Sequence, residues 1–254
     1  MSVTKEEAYQ HALCMDLTTD KLRCAFVHTS TKKITSSLQF DLHDFSREGI
    51  QDFLKEDYFS FDYSTISVSA GSRRNTLMPF DLFNHSKAED ILALNYPKPF
   101  DGVDYNRIPE LGIVNIYEFP VWMKSLFVIR FPRIKLLHRS TVLLKAVFDQ
   151  PTFSGKVHLL IEKEQFYMII VHKSKLLYFN RFDIKAFSDL AYHLHFVLEQ
   201  KELDTRDFDF RLYGVNEDWE HLKEFTSLCP GKVKLDKAPE SSSDLILAKQ
   251  LLCV

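Results

Sequence analysis

Glycine is scarce in this chain, with 7 among 254 residues, where average usage predicts about 18. Loops that close a backbone over phosphate need glycine, because a Cβ blocks the approach. Seven scattered glycines therefore argue against a glycine-rich nucleotide loop. Long apolar runs are also missing. The best candidate, Ser125 to Leu137, is broken by Arg130, Pro132, Arg133 and Lys135 and falls short of the ~18 apolar residues of a membrane span. The first ten residues carry Lys5, Glu6 and Glu7 and no apolar stretch, so no secretory leader is expected. Cysteine numbers 4, with no CxxC among Cys14, Cys24, Cys229 and Cys253. That pattern predicts small buried thiols and a reducing, cytoplasmic setting. Neither sign of charge dominates: Lys plus Arg is 32, Asp plus Glu is 35, and the net charge is −3. A protein whose whole surface grips nucleic acid is thereby excluded. No GxSxG, Cys/His pairing or zinc-ligand spacing is present.

What is there suits a packed α/β protein. Hydrophobic residues make up 45%, and Phe 22, Tyr 10 and Trp 2 favour β-rich packing. Ala12 to Thr18, Leu22 to Phe26 and Ile34 to Leu42 read as three strands joined by polar turns. Ser46 to Tyr58 reads as a helix, and Tyr63 to Ala70 as a strand ending at Gly71. The same order returns later. Lys156 to Ile161, Gln165 to His172 and Leu176 to Phe182 are strands, Ala186 to Gln200 is a helix, and Asp209 to Tyr213 is a strand ending at Gly214. Asn216 to Ser227, Val233 to Leu235 and Ser243 to Leu252 then read as helix, strand and helix. Cys14 to Gly71 and Val157 to Gly214 share one spacing, 57 positions (71 − 14 and 214 − 157). The repeated order and spacing point to an internal duplication. Between the repeats, Ser86 to Asn95, Val121 to Ile129 and Arg139 to Phe148 read as helices, and Gly112 to Glu118 and Arg133 to Leu137 as strands.

Three meandering strands, helix, parallel strand and helix, used twice, describe a tandem ribonuclease-H-like α/β architecture. On that pattern, and on Met15-Asp16-Leu17-Thr18-Thr19, Ala70-Gly71-Ser72-Arg73-Arg74 and Phe210-Arg211-Leu212-Tyr213-Gly214, the chain resembles the actin, Hsp70 and sugar-kinase superfamily. More narrowly, it resembles an uncharacterised bacterial family, largely of Bacteroidetes, with a degenerate actin-like ATPase fold. It is also similar in layout to pilus-assembly actin-like ATPase homologues. The resemblance implies a first lobe over residues 1–150, carrying an insertion, and a second lobe over residues 151–254.

In that superfamily each half opens with a hairpin whose turn holds phosphate through an Asp, a Gly and a Thr or Ser. Here the resemblance puts Asp16 at the Asp, with Thr18 and Thr19 as the hydroxyls. Leu17 stands where Gly is expected. Counting the same spacing back from Gly214 places Leu159 at the second acid, with Glu162 the nearest carboxylate. Gly214 is the single glycine available for contact with an adenosine. Without a second acid, a metal shared by two hairpins loses half its ligands, so efficient ATP hydrolysis is not expected. The reading is a cytoplasmic protein-interaction or scaffold protein, non-catalytic or weakly nucleotide-binding, with an unidentified protein partner.

Two alternatives stand beside it. One is an atypical ATP-binding protein that uses Asp16 with magnesium for ATP hydrolysis or phosphoryl transfer. The other is a nucleic-acid-associated protein. From Phe119 to Phe148 there is no acid, while Lys124, Arg130, Arg133, Lys135, Arg139 and Lys145 interleave with Trp122, Phe127 and Phe131. Arg130, Arg133, Lys135 and Arg139 are the candidate anion contacts. No metal ligand set is predicted. His193 and His195 lie two apart on a helix and cannot share an ion, and His158 and His172 read as strand-surface residues.

Overall fold

A computed structural model describes residues 3–42, 44–149, 153–235 and 242–253. The chain divides into two compact units. The first runs to Ala146 and takes in the residues from Ile246 onward; the second is Val147–Leu245.

The first unit contains β1 (His11–Leu17), β2 (Lys21–His28), β3 (Ile34–Asp41), α1 (Arg47–Phe53) and β4 (Thr65–Ala70). An insertion follows, with β5 (Asn75–Pro79), α2 (Ala88–Ala93), β6 (Val103–Ile108) and β7 (Ile113–Glu118). Then come α3 (Val121–Arg130), β8 (Lys135–His138) and α4 (Arg139–Phe148). The main sheet has the order β3-β2-β1-β4-β8. β1 is antiparallel to β2 and parallel to β4, and β4 is parallel to β8. All seven residues of the central strand β1 are buried, as expected for a strand covered on both faces. Leu13, Met15 and Leu17 join a core with Ile50 of α1 and Met123, Leu126 and Phe127 of α3. On the opposite face the small side chains of Ala12, Cys14 and Ala25 leave room for Leu247 and Leu251 of the C-terminal segment.

The second unit repeats this plan. β9 (Lys156–Ile161), β10 (Gln165–His172), β11 (Lys175–Asp183), α5 (Phe187–Gln200), β12 (Asp209–Tyr213), α6 (Leu222–Leu228) and β13 (Lys232–Leu235) follow in order. Their sheet is β11-β10-β9-β12-β13, the counterpart of the first. Val157, Leu159 and Ile161 enter a core with Leu190, Leu194 and Val197 of α5 and Phe225 of α6. The last helix, α7, is Ser242–Lys249, and a 3-10 turn over Gln250–Cys253 follows it.

Several local expectations shift. The helix expected from Ser46 to Tyr58 stops at Phe53, and a 3-10 turn over Asp57–Ser60 drops Phe59 into the core. The expected helix over Asn216 to Ser227 begins only at Leu222, because Asn216 turns the chain: its side-chain oxygen accepts from the Asp218 amide at 3.1 Å and its carbonyl from the Trp219 amide at 3.2 Å. The insertion holds two strands beyond the one expected, β5 and β6, which flank β7 in a three-stranded antiparallel sheet. Their alternation is weak, with most residues half-buried.

His158 is not a surface residue. It is 7% exposed, and its Nδ1 lies 2.9 Å from the Tyr213 hydroxyl. Burial, aided by Lys156 and Arg211, lowers its pKa to about 3. The unfolded chain therefore takes up this proton below about pH 6.5 while the folded chain does not. Stability should fall as the pH drops from about 6.5 toward 3, by up to about 1.4 kcal/mol per pH unit from this residue. Unfolding midpoints measured across that window should show a shallower pH slope in His158→Leu than in the wild type; equal slopes would remove His158 as the cause.

Candidate functional site

Asp16 lies on β1, on the face opposite Met15 and Leu17, and is 0% exposed. Its Oδ1 accepts a 2.7 Å hydrogen bond from the Ser69 hydroxyl. Ser69 is its register partner on β4. The Arg139 Nε lies 3.3 Å from the same oxygen, and both side chains are buried. Arg139 is placed there because α4 starts immediately after β8, the strand next to β4. Gln250 completes the cluster. Its Nε2 donates to the Met15 carbonyl at 2.7 Å and to the Ser69 hydroxyl at 2.9 Å, and its Oε1 accepts from Ser67 at 2.6 Å. A lone carboxylate in such a place would carry a large desolvation cost; the guanidinium and the hydroxyl offset it.

The neighbouring turn is closed by its own side chains. The Thr18 hydroxyl donates to Asp20 at 2.8 Å and accepts from the Lys21 amide at 3.2 Å. Thr19 is exposed, and Leu17 is buried in the helix-side core. The turn thus presents an acid and no glycine.

The second unit corrects the expected counterpart of Asp16. Asp16 pairs with Arg23 on β2 and Ser69 on β4. Leu160 pairs with Tyr167 on β10 and Tyr213 on β12 in the same way. Leu159 instead faces the helix core, as Met15 does. The count from Gly214 is one residue off, and one residue in a strand means the other face. The counterpart is still apolar, and Leu160 is 3% exposed. The turn beyond it carries Glu162, whose carboxylate accepts from Gln165, and Glu164. In neither unit do the residues fit magnesium with a polyphosphate. The carboxylate faces Arg139, its counterpart is leucine, and acids stand in both turns.

Gly214 has φ +82°, and a Cβ there would sit 2.2 Å from the Ile161 carbonyl oxygen. It lets β12 end against the end of β9. It also borders a recess of about 350 Å³ inside the second unit, with Ile161, Lys163, Lys185, Phe187 and Trp219 among its walls. The Phe187 ring stacks on His221 at 4.6 Å.

The basic segment does not form one surface. Arg139 is buried on Asp16, so it does not serve as a surface anion contact. Arg130 donates to the Leu54 carbonyl at 3.3 Å and to Ser60 at 2.8 Å, tying α3 to the chain after α1. Lys124 pairs with Asp104 at 2.6 Å. Arg133 and Lys135 are exposed. Three members of the Asp16 cluster, Ser67, Ser69 and Gln250, are not among the sequence candidates. The alternation of Ser67 and Ser69 with Ile66, Val68 and Ala70 is a local sign of the two serines.

A family described as a protein of unknown function (DUF3822) matches residues 2–227. No curated protein matches the chain. Among solved structures, one is from Bacteroides thetaiotaomicron VPI-5482 and is described as a protein with actin-like ATPase fold and unknown function. It is similar to this chain with a TM-score of 0.86, 20% identity and 100% of each chain covered. The PilM–PilN type IV pilus biogenesis complex is similar with a TM-score of 0.58, 11% identity and 95% of this chain and 96% of that chain covered. The ethanolamine utilization protein EutJ from Carboxydothermus hydrogenoformans follows at 0.54, 8% identity, and 94% and 89% covered. At such identities the likeness establishes the fold alone, a mixed α/β actin-like ATPase fold. Among the described residues no helix is long and apolar enough to cross a membrane.

Removing one member of a buried pair leaves the other charge uncompensated, at a cost of about 3–5 kcal/mol. Asp16→Leu and Arg139→Met should each lower stability by that order in urea unfolding, and the double variant should lose much less than their sum. Strict additivity would show that the two side chains do not interact.

Proposed function

This chain belongs to the DUF3822 family, and we propose that it is a non-catalytic protein-interaction or scaffold protein built on an actin-like ATPase fold. The observation that carries this reading is the engagement of Asp16 by Arg139 and Ser69 deep in the first unit. A carboxylate that positions a metal-bound water must face the ligand; this one faces a guanidinium 3.3 Å away. The proposal also rests on surfaces suited to protein contact. On α3, Val121, Val128 and Ile129 are 55%, 40% and 74% exposed, and they follow helical spacing along one side. Exposed apolar patches of this kind mark interaction sites. The PilM–PilN complex, which shares the fold, supports an assembly role for this architecture.

A second reading is favoured by the recess beside Gly214: binding of a nucleotide base without turnover. Its volume, about 350 Å³, suits a small ligand, and Phe187 and Trp219 supply aromatic walls.

Both readings are tested on the wild-type chain with ATP. No magnesium-dependent hydrolysis above background is expected. Binding at the recess should quench Trp219 emission, with Trp122→Phe used to remove the other tryptophan, and Lys163→Glu should weaken it. Magnesium-dependent turnover in the purified chain would overturn the non-catalytic proposal. For the interaction arm, Val128→Glu/Ile129→Glu should release a partner that co-purifies stoichiometrically with the wild type.

A further inference from the structure

The insertion sheet, β8 and α4 border an open recess of about 440 Å³ that lies wholly on the first unit. Its lining includes Tyr105, Asn106 and Arg107 of β6, Lys135 of β8, and Thr141 and Lys145 of α4. Three cationic residues from three elements thus border it. Lys145 has a counter-ion, Glu110 at 3.1 Å, and also donates to the Leu252 carbonyl at 3.3 Å. Arg107 and Lys135 are both exposed, and neither has an ion pair among the described residues. The Arg107 guanidinium is held over the Phe80 and Tyr105 rings, 5.4 and 5.8 Å from their centroids. This contact limits its freedom while leaving its N–H groups available.

The wall behind these cations is braced. The Asn106 Oδ1 accepts from the His138 amide at 2.8 Å and from the Thr141 hydroxyl at 3.0 Å, and its Nδ2 donates to the Leu136 carbonyl at 2.9 Å. Asn115 donates to Thr141 at 3.0 Å and accepts from Asn75 at 3.1 Å. The insertion is thereby bolted to β8 and α4, which fixes the backbone positions from which Arg107, Lys135 and Lys145 extend. Cations carried on a fixed backbone around a concave site suit recognition of a doubly charged anion. The volume lies within the range of small-ligand pockets and is too small to house a folded macromolecule.

We propose that this recess is a binding site for the phosphate group of a small molecule, held by Arg107 and Lys135 with Lys145 at its rim. It goes beyond the scaffold reading and does not depend on it, since it shares no residue with the Asp16 cluster or with the Gly214 recess. Free phosphate and an organic phosphate ester offer the same group, so the experiment carries both.

Inorganic phosphate, pyrophosphate and ribose 5-phosphate are titrated calorimetrically into the full chain at low salt. At least one should bind, and Arg107→Gln/Lys135→Gln should weaken that binding about 10-fold or more, as the loss of two charge-assisted contacts implies. Lys124→Gln, outside the recess, should leave it unchanged. Tighter binding of ribose 5-phosphate than of phosphate assigns an organic ester; equal binding assigns the phosphate group alone. Unfolding midpoints check that the double variant folds, and Lys135→Gln alone replaces it if it does not. Absence of binding in all three titrations overturns the proposal, as does binding that the variants leave intact. A single-stranded RNA that binds where the small phosphates do not also overturns it, in favour of a nucleic-acid surface.

Discussion

The buried contact between Asp16 and Arg139 governs what the first unit can do. A carboxylate with no solvent exposure survives only if its charge is met. Here Arg139 meets it, and Ser69 donates to the same oxygen. The consequence reaches along the chain, because Gln250 hydrogen-bonds Ser69, Ser67 and the Met15 carbonyl. The central strand, its parallel neighbour, the start of α4 and the C-terminal segment are thus joined through one polar cluster. Such clusters specify a single arrangement as much as they stabilise it. The side chain best suited to a phosphate-bound metal is the one this cluster needs for its own integrity.

The two units show how far one plan can diverge. Both sheets have the same strand order and both bury a helix layer against the odd-numbered positions of their central strand. On the opposite face they differ. The first unit has small residues at Ala12 and Cys14, then Asp16; the second has His158 and Leu160. One face therefore keeps the fold, because apolar contacts in a packed core tolerate little change. The other face differs between the units, holding an internal ion pair in the first and Leu160 beside the buried His158 in the second.

Much of the fold is legible in local pattern. β9, β10, β12 and α4 lie where alternation and helical spacing put them. The failures have physical causes. Asn216 stops a helix by turning its own backbone. β5 and β6 are half-buried and lack the continuous buried run that marks β1 or β10. The acid counterpart slipped by one position, from Leu160 to Leu159, because spacing between glycines does not report which face of a strand a residue occupies.

The sequence by itself determined the duplicated α/β plan, the shortage of glycine around any phosphate loop, and the prominence of Asp16. These depend on residue type and period, which are local. Only the tertiary structure decided what Asp16 faces, since Arg139 reaches it from far along the chain and Gln250 reaches its partner Ser69. It also decided that the basic run disperses, with Arg139 inward, Arg130 bound to the chain after α1, and Lys135 and Lys145 beside Arg107. Charge along a sequence says how much is present; the direction each strand and helix turns its side chains says where it acts.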